Sequence, residues 1–129
     1  MLLNKIKFTS RRVAGLLVLF LAISCFYSSV QAASYTVETV PNAHLSDRSN
    51  RVSNPDGIIL PEDVATINQM LQLVEDSLSI EVAVVAIESI GDNDARMFAT
   101  DLFKHWGIGK KGEDNGLLIL LVTDAAQRA

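Results

Sequence analysis

Hydrophobic and polar positions alternate in several distinct rhythms along this chain, and each rhythm predicts an element. Residues 33–57 are polar and turn-rich, with a short strand expected at Tyr35–Val40 and turns at Pro41-Asn42 and Asn54-Pro55-Asp56-Gly57. Beyond Pro61, the residues Val64, Ile67, Leu71, Val74 and Leu78 recur at spacings of three and four, which predicts one apolar helical face. Pro61 opens that helix where a missing N–H costs nothing, and Glu62-Asp63 place negative charge at its positive dipole end. Ile80–Ile87 is apolar at every position except Glu81, the pattern of a strand covered on both faces. A second helix is predicted from about Asp94 to Trp106, with Asn93 or Asp94 as its cap. Its apolar face is Ala95, Phe98, Ala99, Leu102, Phe103 and Trp106, and Gly107 stops it. The apolar run from Gly116 to Thr123 predicts a last strand, central and flanked on both sides. Two buried strands joined by a helix run parallel. The fold class expected is α/β, a three-layer α/β sandwich with a partly parallel central sheet.

The join between the second helix and the last strand carries the most information. Trp106-Gly107-Ile108-Gly109 is followed after four residues by Asp114-Asn115-Gly116, so the loop holds two lysines and four glycines, at 107, 109, 112 and 116. Glycine permits tight or left-handed backbone that other residues resist, and loops set between a helix and a core strand often carry function.

The N-terminus supplies an address. Lys5, Lys7, Arg11 and Arg12 precede the almost unbroken apolar stretch Val13–Ile23, and Val30-Gln31-Ala32 offers small residues for cleavage before Ala33. The run is shorter than the roughly 20 apolar residues of a membrane span, so residues 1–32 read as a signal peptide, with an uncleaved anchor as the alternative. Cys25, the one cysteine, falls within that segment. Ala22-Ile23-Ser24-Cys25 also has a weak likeness to a lipoprotein cleavage box, followed by bulky Phe26-Tyr27. Residues 33–52 then form an N-terminal strand and linker, and 53–129 the α/β domain. Removing the leader from 129 residues leaves 97 and takes four of the 11 basic residues but none of the 15 acidic ones, for a mature charge of −8. Such a balance argues against nucleic acid or anionic lipid, which need clustered Lys and Arg.

The usual catalytic signatures are missing from the sequence. It has no Gly-x-Ser-x-Gly elbow, Walker loop, His-Glu-x-x-His or dinucleotide fingerprint, and Gly107-Ile108-Gly109 precedes a strand where a dinucleotide loop follows one. His44 and His105 are too few and too scattered for a histidine metal site. Carboxylates remain: Asp56, Asp92, Asp94, Glu113, Asp114 and Asp124 fall in loops or at element ends. Hard oxygen ligands on loops suit calcium or magnesium. Asp124 ends a strand, at the edge where open α/β sheets gather ligands. Asp114 lies at the other end of that strand, ten positions before Asp124 in the chain, so a single site from both is geometrically strained. Asp94 serves equally as a helix cap and Asp114 as a turn former, while Lys110 and Lys111 read as a solvated loop or a phosphate contact.

Several of these segments together resemble the TPM domain family. They are Asn54-Pro55-Asp56-Gly57-Ile58-Ile59-Leu60-Pro61-Glu62, the strand Ile80–Ile87, Phe98-Ala99-x-x-Leu102-Phe103-x-x-Trp106-Gly107-Ile108-Gly109, and Asp114-Asn115-Gly116-Leu117-Leu118-Ile119. The family is known from exported or membrane-anchored bacterial proteins and from thylakoid-lumen proteins tied to photosystem II repair. The resemblance spans roughly residues 50–124 and implies an α/β sandwich, export, divalent-metal binding and acid-phosphatase activity. Two functions are expected. One is an interaction and assembly module for envelope or membrane protein complexes, with a divalent cation (calcium or magnesium) as cofactor. The other is metal-dependent hydrolysis of phosphomonoesters, with Asp56, Asp114 and Asp124 as candidate ligands to a metal that activates water. Family members usually continue past the region of Asp124 into an arginine-bearing strand and a Gly-x-Gly turn. The chain therefore reads as a piece of a longer domain whose reading frame continues past Ala129.

Overall fold

A computed structural model of the chain describes residues 33–124. The leader, its cleavage site, Cys25 and residues 125–129 lie outside the described residues. A one-turn helix α1 (Ala43–Ser46) comes first, followed by a short strand β1 (Val52–Ser53) and the long helix α2 (Pro61–Leu78). Strand β2 (Glu81–Ile87), helix α3 (Ala95–Trp106) and strand β3 (Gly116–Val122) complete the order. The strands form one sheet in the order β1-β2-β3. All pairs are parallel, with Val52 opposite Val84, and β2 in register with β3 from Glu81–Gly116 to Ile87–Val122. The sheet among the described residues is thus wholly parallel, as helical crossovers require.

Pairing with period two sorts the strand residues between two faces. Val85 and Ile87 share one face with their partners Leu120 and Val122. That face meets Phe98 and Leu102 of α3, together with Val40 and Ile90, in the buried core, and Ala95 and Trp106 pack at its margin. The opposite face carries Val52, Val82 and Ala86, which are also buried, and α2 packs across β1 and β2. Helices on both sides of the sheet make the sandwich expected from the sequence.

Local chemistry accounts for the element ends. Asp94 caps α3 by accepting the Met97 N–H at 2.9 Å, and Gly107, at φ 63°, ends the helix with its N–H on the Phe103 and Lys104 carbonyls. Ser79 ends α2 in the same left-handed conformation at φ 56°. Arg51, only 6% exposed, ties β1 to α2. Its Nε donates to Glu75 Oε2 at 3.0 Å, Nη2 pairs with the same carboxylate, and its backbone N–H donates to Asn68 Oδ1 at 2.8 Å. Glu81, the polar exception in β2, accepts the Gly109 N–H at 2.9 Å and so fastens the glycine loop to the strand.

One expectation changes. Tyr35–Val40 is a turn, not a strand. The Thr36 carbonyl accepts the N–H groups of Thr39 and Val40, and the Thr39 hydroxyl accepts the Thr36 N–H at 2.8 Å. These threonine contacts divert the backbone from a ladder. Strand β3 stands last in the sheet among the described residues, and Leu117, Ile119 and Leu121 are 49%, 48% and 45% exposed. Helix α3 covers the face of Leu118, Leu120 and Val122.

Candidate functional site at the C-terminal edge of the sheet

Parallel strands bring all their C-terminal ends to one edge, so the segments after β1, β2 and β3 emerge side by side. Asp56 follows β1, Glu88 and Ser89 follow β2, and Asp124 follows β3. Hydrogen bonds knit the three. The Glu88 N–H donates to Asp56 Oδ2 at 2.8 Å, and the Ser89 hydroxyl donates to Asp124 Oδ2 at 2.9 Å. The Asp124 N–H returns to the Glu88 carbonyl at 2.8 Å. Asp56 and Asp124 therefore meet at consecutive residues of one segment, although 68 positions separate them in the chain.

A fourth segment lies across this edge. Tyr35 donates its hydroxyl to Asp56 Oδ1 at 2.7 Å and its backbone N–H to the Ser89 carbonyl at 2.9 Å. The hydrogen bond to Asp56 holds the Tyr35 hydroxyl above its ordinary pKa of 10.0, because losing the proton would set a phenolate beside a carboxylate. Burial of the ring and the charges of Asp56 and Glu88 act in the same direction.

Asp114 is not part of this arrangement. It precedes β3, whose seven residues span about 20 Å, so it sits at the other end of the sheet from Asp124. Its φ of 46° marks it as a turn residue. The trio Asp56, Asp114 and Asp124 expected from sequence is thus divided into a pair and an outlier. The carboxylates of the pair do not fit a divalent cation as they stand. Both Asp56 oxygens face hydrogen-bond donors, and among the described residues no group of three or more His, Cys, Asp or Glu side chains is placed to hold a metal. Calcium and magnesium take about six or more oxygens, and the protein part of such a set is not assembled here.

The N-terminal end of the sheet offers a different kind of space. A cavity of about 70 Å³ lies among His44, Arg51, Glu81, Ala83 and Trp106. It is far smaller than the few hundred Å³ that small-molecule ligands occupy. Within this region His44 Nδ1 and Arg51 Nη1 are buried without a partner among the described residues.

Sequence reasoning missed Tyr35, Glu88 and Ser89. Ser89 carried a usable signal, since it lies just past the end of a buried strand at the ligand-gathering edge. Tyr35 carried none, because its partner lies 21 residues away across a turn whose shape the pattern misread.

The fold and this edge define an α/β domain with a parallel sheet and a carboxylate-bearing C-terminal rim. A family model, the TPM domain, matches residues 52–129, and the chain belongs to the TPM domain family. It is similar to the N-terminal domain of a protein from P. gingivalis, solved in solution by NMR, with 34% identity and a TM-score of 0.64. That likeness covers 70% of this chain and 58% of the other, so this chain spans somewhat over half of that structure. No curated protein matches the chain.

Proposed function

We propose that this chain is an exported TPM-domain protein that acts as an interaction and assembly module in the cell envelope. The observation that carries the reading is the outward face of β3. Leu117, Ile119 and Leu121 form an apolar stripe on a strand that stands last in the sheet among the described residues, which offers buried area and main-chain hydrogen bonds to a partner. The charge of −8 expected once the leader is removed points away from nucleic acid. The carboxylate rim supports the same reading, because Asp56 and Asp124 are occupied in joining loops. Among the described residues no helix is long and apolar enough to cross a membrane.

A photo-crosslinking side chain placed at Ile119 of the full chain, expressed in its own cell, tests this. Adducts with envelope proteins are expected at Ile119 and not at Arg96, an exposed polar position on α3. N-terminal sequencing of the same material should read from near Ala33. An intact Met1 or a lipid-modified Cys25 would contradict the address.

The second reading is metal-dependent hydrolysis of phosphomonoesters, favoured by the meeting of Asp56 and Asp124 at the sheet edge. Asp114, at the far end, would act apart from them. Steady turnover of a generic phosphomonoester by rigorously purified protein, abolished in Asp124→Asn or Asp114→Ala, would put hydrolysis first.

A further inference from the structure

The small cavity at the N-terminal end of the sheet holds polar atoms that the described residues leave unanswered. Arg51, with 5% of its side chain exposed, lines this space of about 70 Å³. Its Nε and Nη2 are taken up by Glu75, while Nη1 is buried without a partner among the described residues. His44 lines the same space, and its Nδ1 is buried in the same condition. A polar atom removed from water without a hydrogen bond forfeits what water gave it, so two such atoms in one cavity define a ligand by what they lack.

The first requirement is a pattern of donor and acceptor. Guanidinium Nη1 only donates, and imidazole Nδ1 accepts when the ring proton sits on Nε2. The complement is a group with a carbonyl oxygen and an N–H side by side. Charge excludes the commoner partner of arginine. Glu75 already answers the Arg51 charge, and Glu81 adds a second carboxylate to the wall of the cavity, its Oε2 on the Gly109 N–H. A third carboxylate would meet two others around one guanidinium, whereas a neutral group meets no such repulsion. Size narrows the choice again. The space equals that of about two waters, enough for the three heavy atoms of a carboxamide head and too little for the five of a phosphate group. Ala83, Trp106 and Ile108 supply apolar wall for the carbon that carries the head.

The cavity also has a way in. Leu45 lines it and is 84% exposed, so its wall reaches the surface at α1. That wall is lightly braced, because α1 is one turn with no buried residue and no side-chain hydrogen bond at its cap. We propose that this cavity binds a primary carboxamide, the head of an asparagine or glutamine side chain or a small free amide, with its oxygen on Arg51 Nη1 and its amino group on His44 Nδ1. The site makes no use of the β3 stripe and stands whether or not the chain is an assembly module.

NMR titration of the full chain tests the assignment with three probes: acetamide, sodium acetate at matched ionic strength, and N-acetylglutamine N-methylamide. Acetamide should shift the Ala83 amide and the His44 ring saturably in the millimolar range, and acetate, of the same shape but charged, should bind about tenfold more weakly or less. His44→Phe removes the acceptor and fills part of the space, so it should abolish the acetamide shifts while the resonances of β2 and β3 stay in place. Tighter binding of the glutamine compound than of acetamide would put the carboxamide on a partner polypeptide, and weaker binding would assign the cavity to small free amides. Acetate binding as tightly as acetamide would overturn the proposal, as would acetamide binding that survives in folded His44→Phe. A wild type with no saturable response to acetamide would overturn it too, leaving the cavity to water. The comparison of acetamide with acetate needs the wild type alone, so it decides even where His44→Phe does not fold.

Discussion

Tyr35 shows how much one side chain can join. Its hydroxyl reaches a carboxylate 21 residues away, and its proton is held more tightly in the folded chain than in the unfolded one. A folded-state pKa raised above 10.0 means that the contribution to stability is complete below that pH. It is lost as the pH climbs through the higher folded value. The unfolding free energy of wild type, measured in urea against Tyr35→Phe, should differ by a constant amount from pH 7 to about 9 and converge above about 10. Convergence already at neutral pH would mean that the hydroxyl contributes nothing there. Single residues also mark where the sequence was readable. Asp94 as a cap, Pro61 as a helix opener and Gly107 as a helix stop each follow from the chemistry of one residue type, and the structure has all three. Ser79 in the left-handed region was not legible, since serine has no preference for that conformation and only its place after α2 imposes it.

Elements with a strong period were legible and elements held by side-chain contacts were not. Both long helices and both seven-residue strands fall within a residue or two of the expected ranges, because their apolar spacing states which face is buried. The turn at Thr36–Thr39 and helix α1 have no such period, and the first was read as a strand. The connection from α3 to β3 was legible as a glycine loop, while its reason lay in three dimensions. A Cβ on Gly116 would stand 2.5 Å from the Ile108 carbonyl oxygen, and one on Gly109, at φ 90°, would stand 2.8 Å from the Gly116 nitrogen. The two strands of the loop touch backbone to backbone, a contact any side chain would pry apart. Gly116→Ala should therefore displace the start of β3 and destabilise the domain by about 2 kcal/mol or more, read as a lower urea midpoint with an unchanged slope. Gly112→Ala, where a Cβ meets nothing within 4 Å, pays only for its positive φ and should cost about 1–2 kcal/mol.

At the scale of the whole molecule, the sheet is chemically asymmetric. One edge gathers carboxylates from the ends of three strands, and one face of the last strand meets solvent with leucine and isoleucine. The sequence declared the hydrophobicity of β3, and among the described residues α3 covers one of its two faces. Among the described residues β3 has no strand beyond it, and an edge with such a stripe favours association. Purified protein should sediment as dimers or larger species at tens of micromolar, and the pair Leu117→Thr with Ile119→Thr should return it toward monomer with little loss of stability. A wild type that stays monomeric throughout would show that the stripe is tolerated in water. The glycine contact has a further consequence for the molecule as a whole. Because Gly109 and Gly116 close the base of the loop, and Asn115 seals it by accepting the Lys110 N–H and donating to the Ser79 carbonyl, residues 110–114 hang from a cinched neck. What dangles below a closed neck is mechanically isolated from the sheet, so a foreign peptide spliced between Lys111 and Gly112 would ride on the domain as cargo, without passing strain to its host.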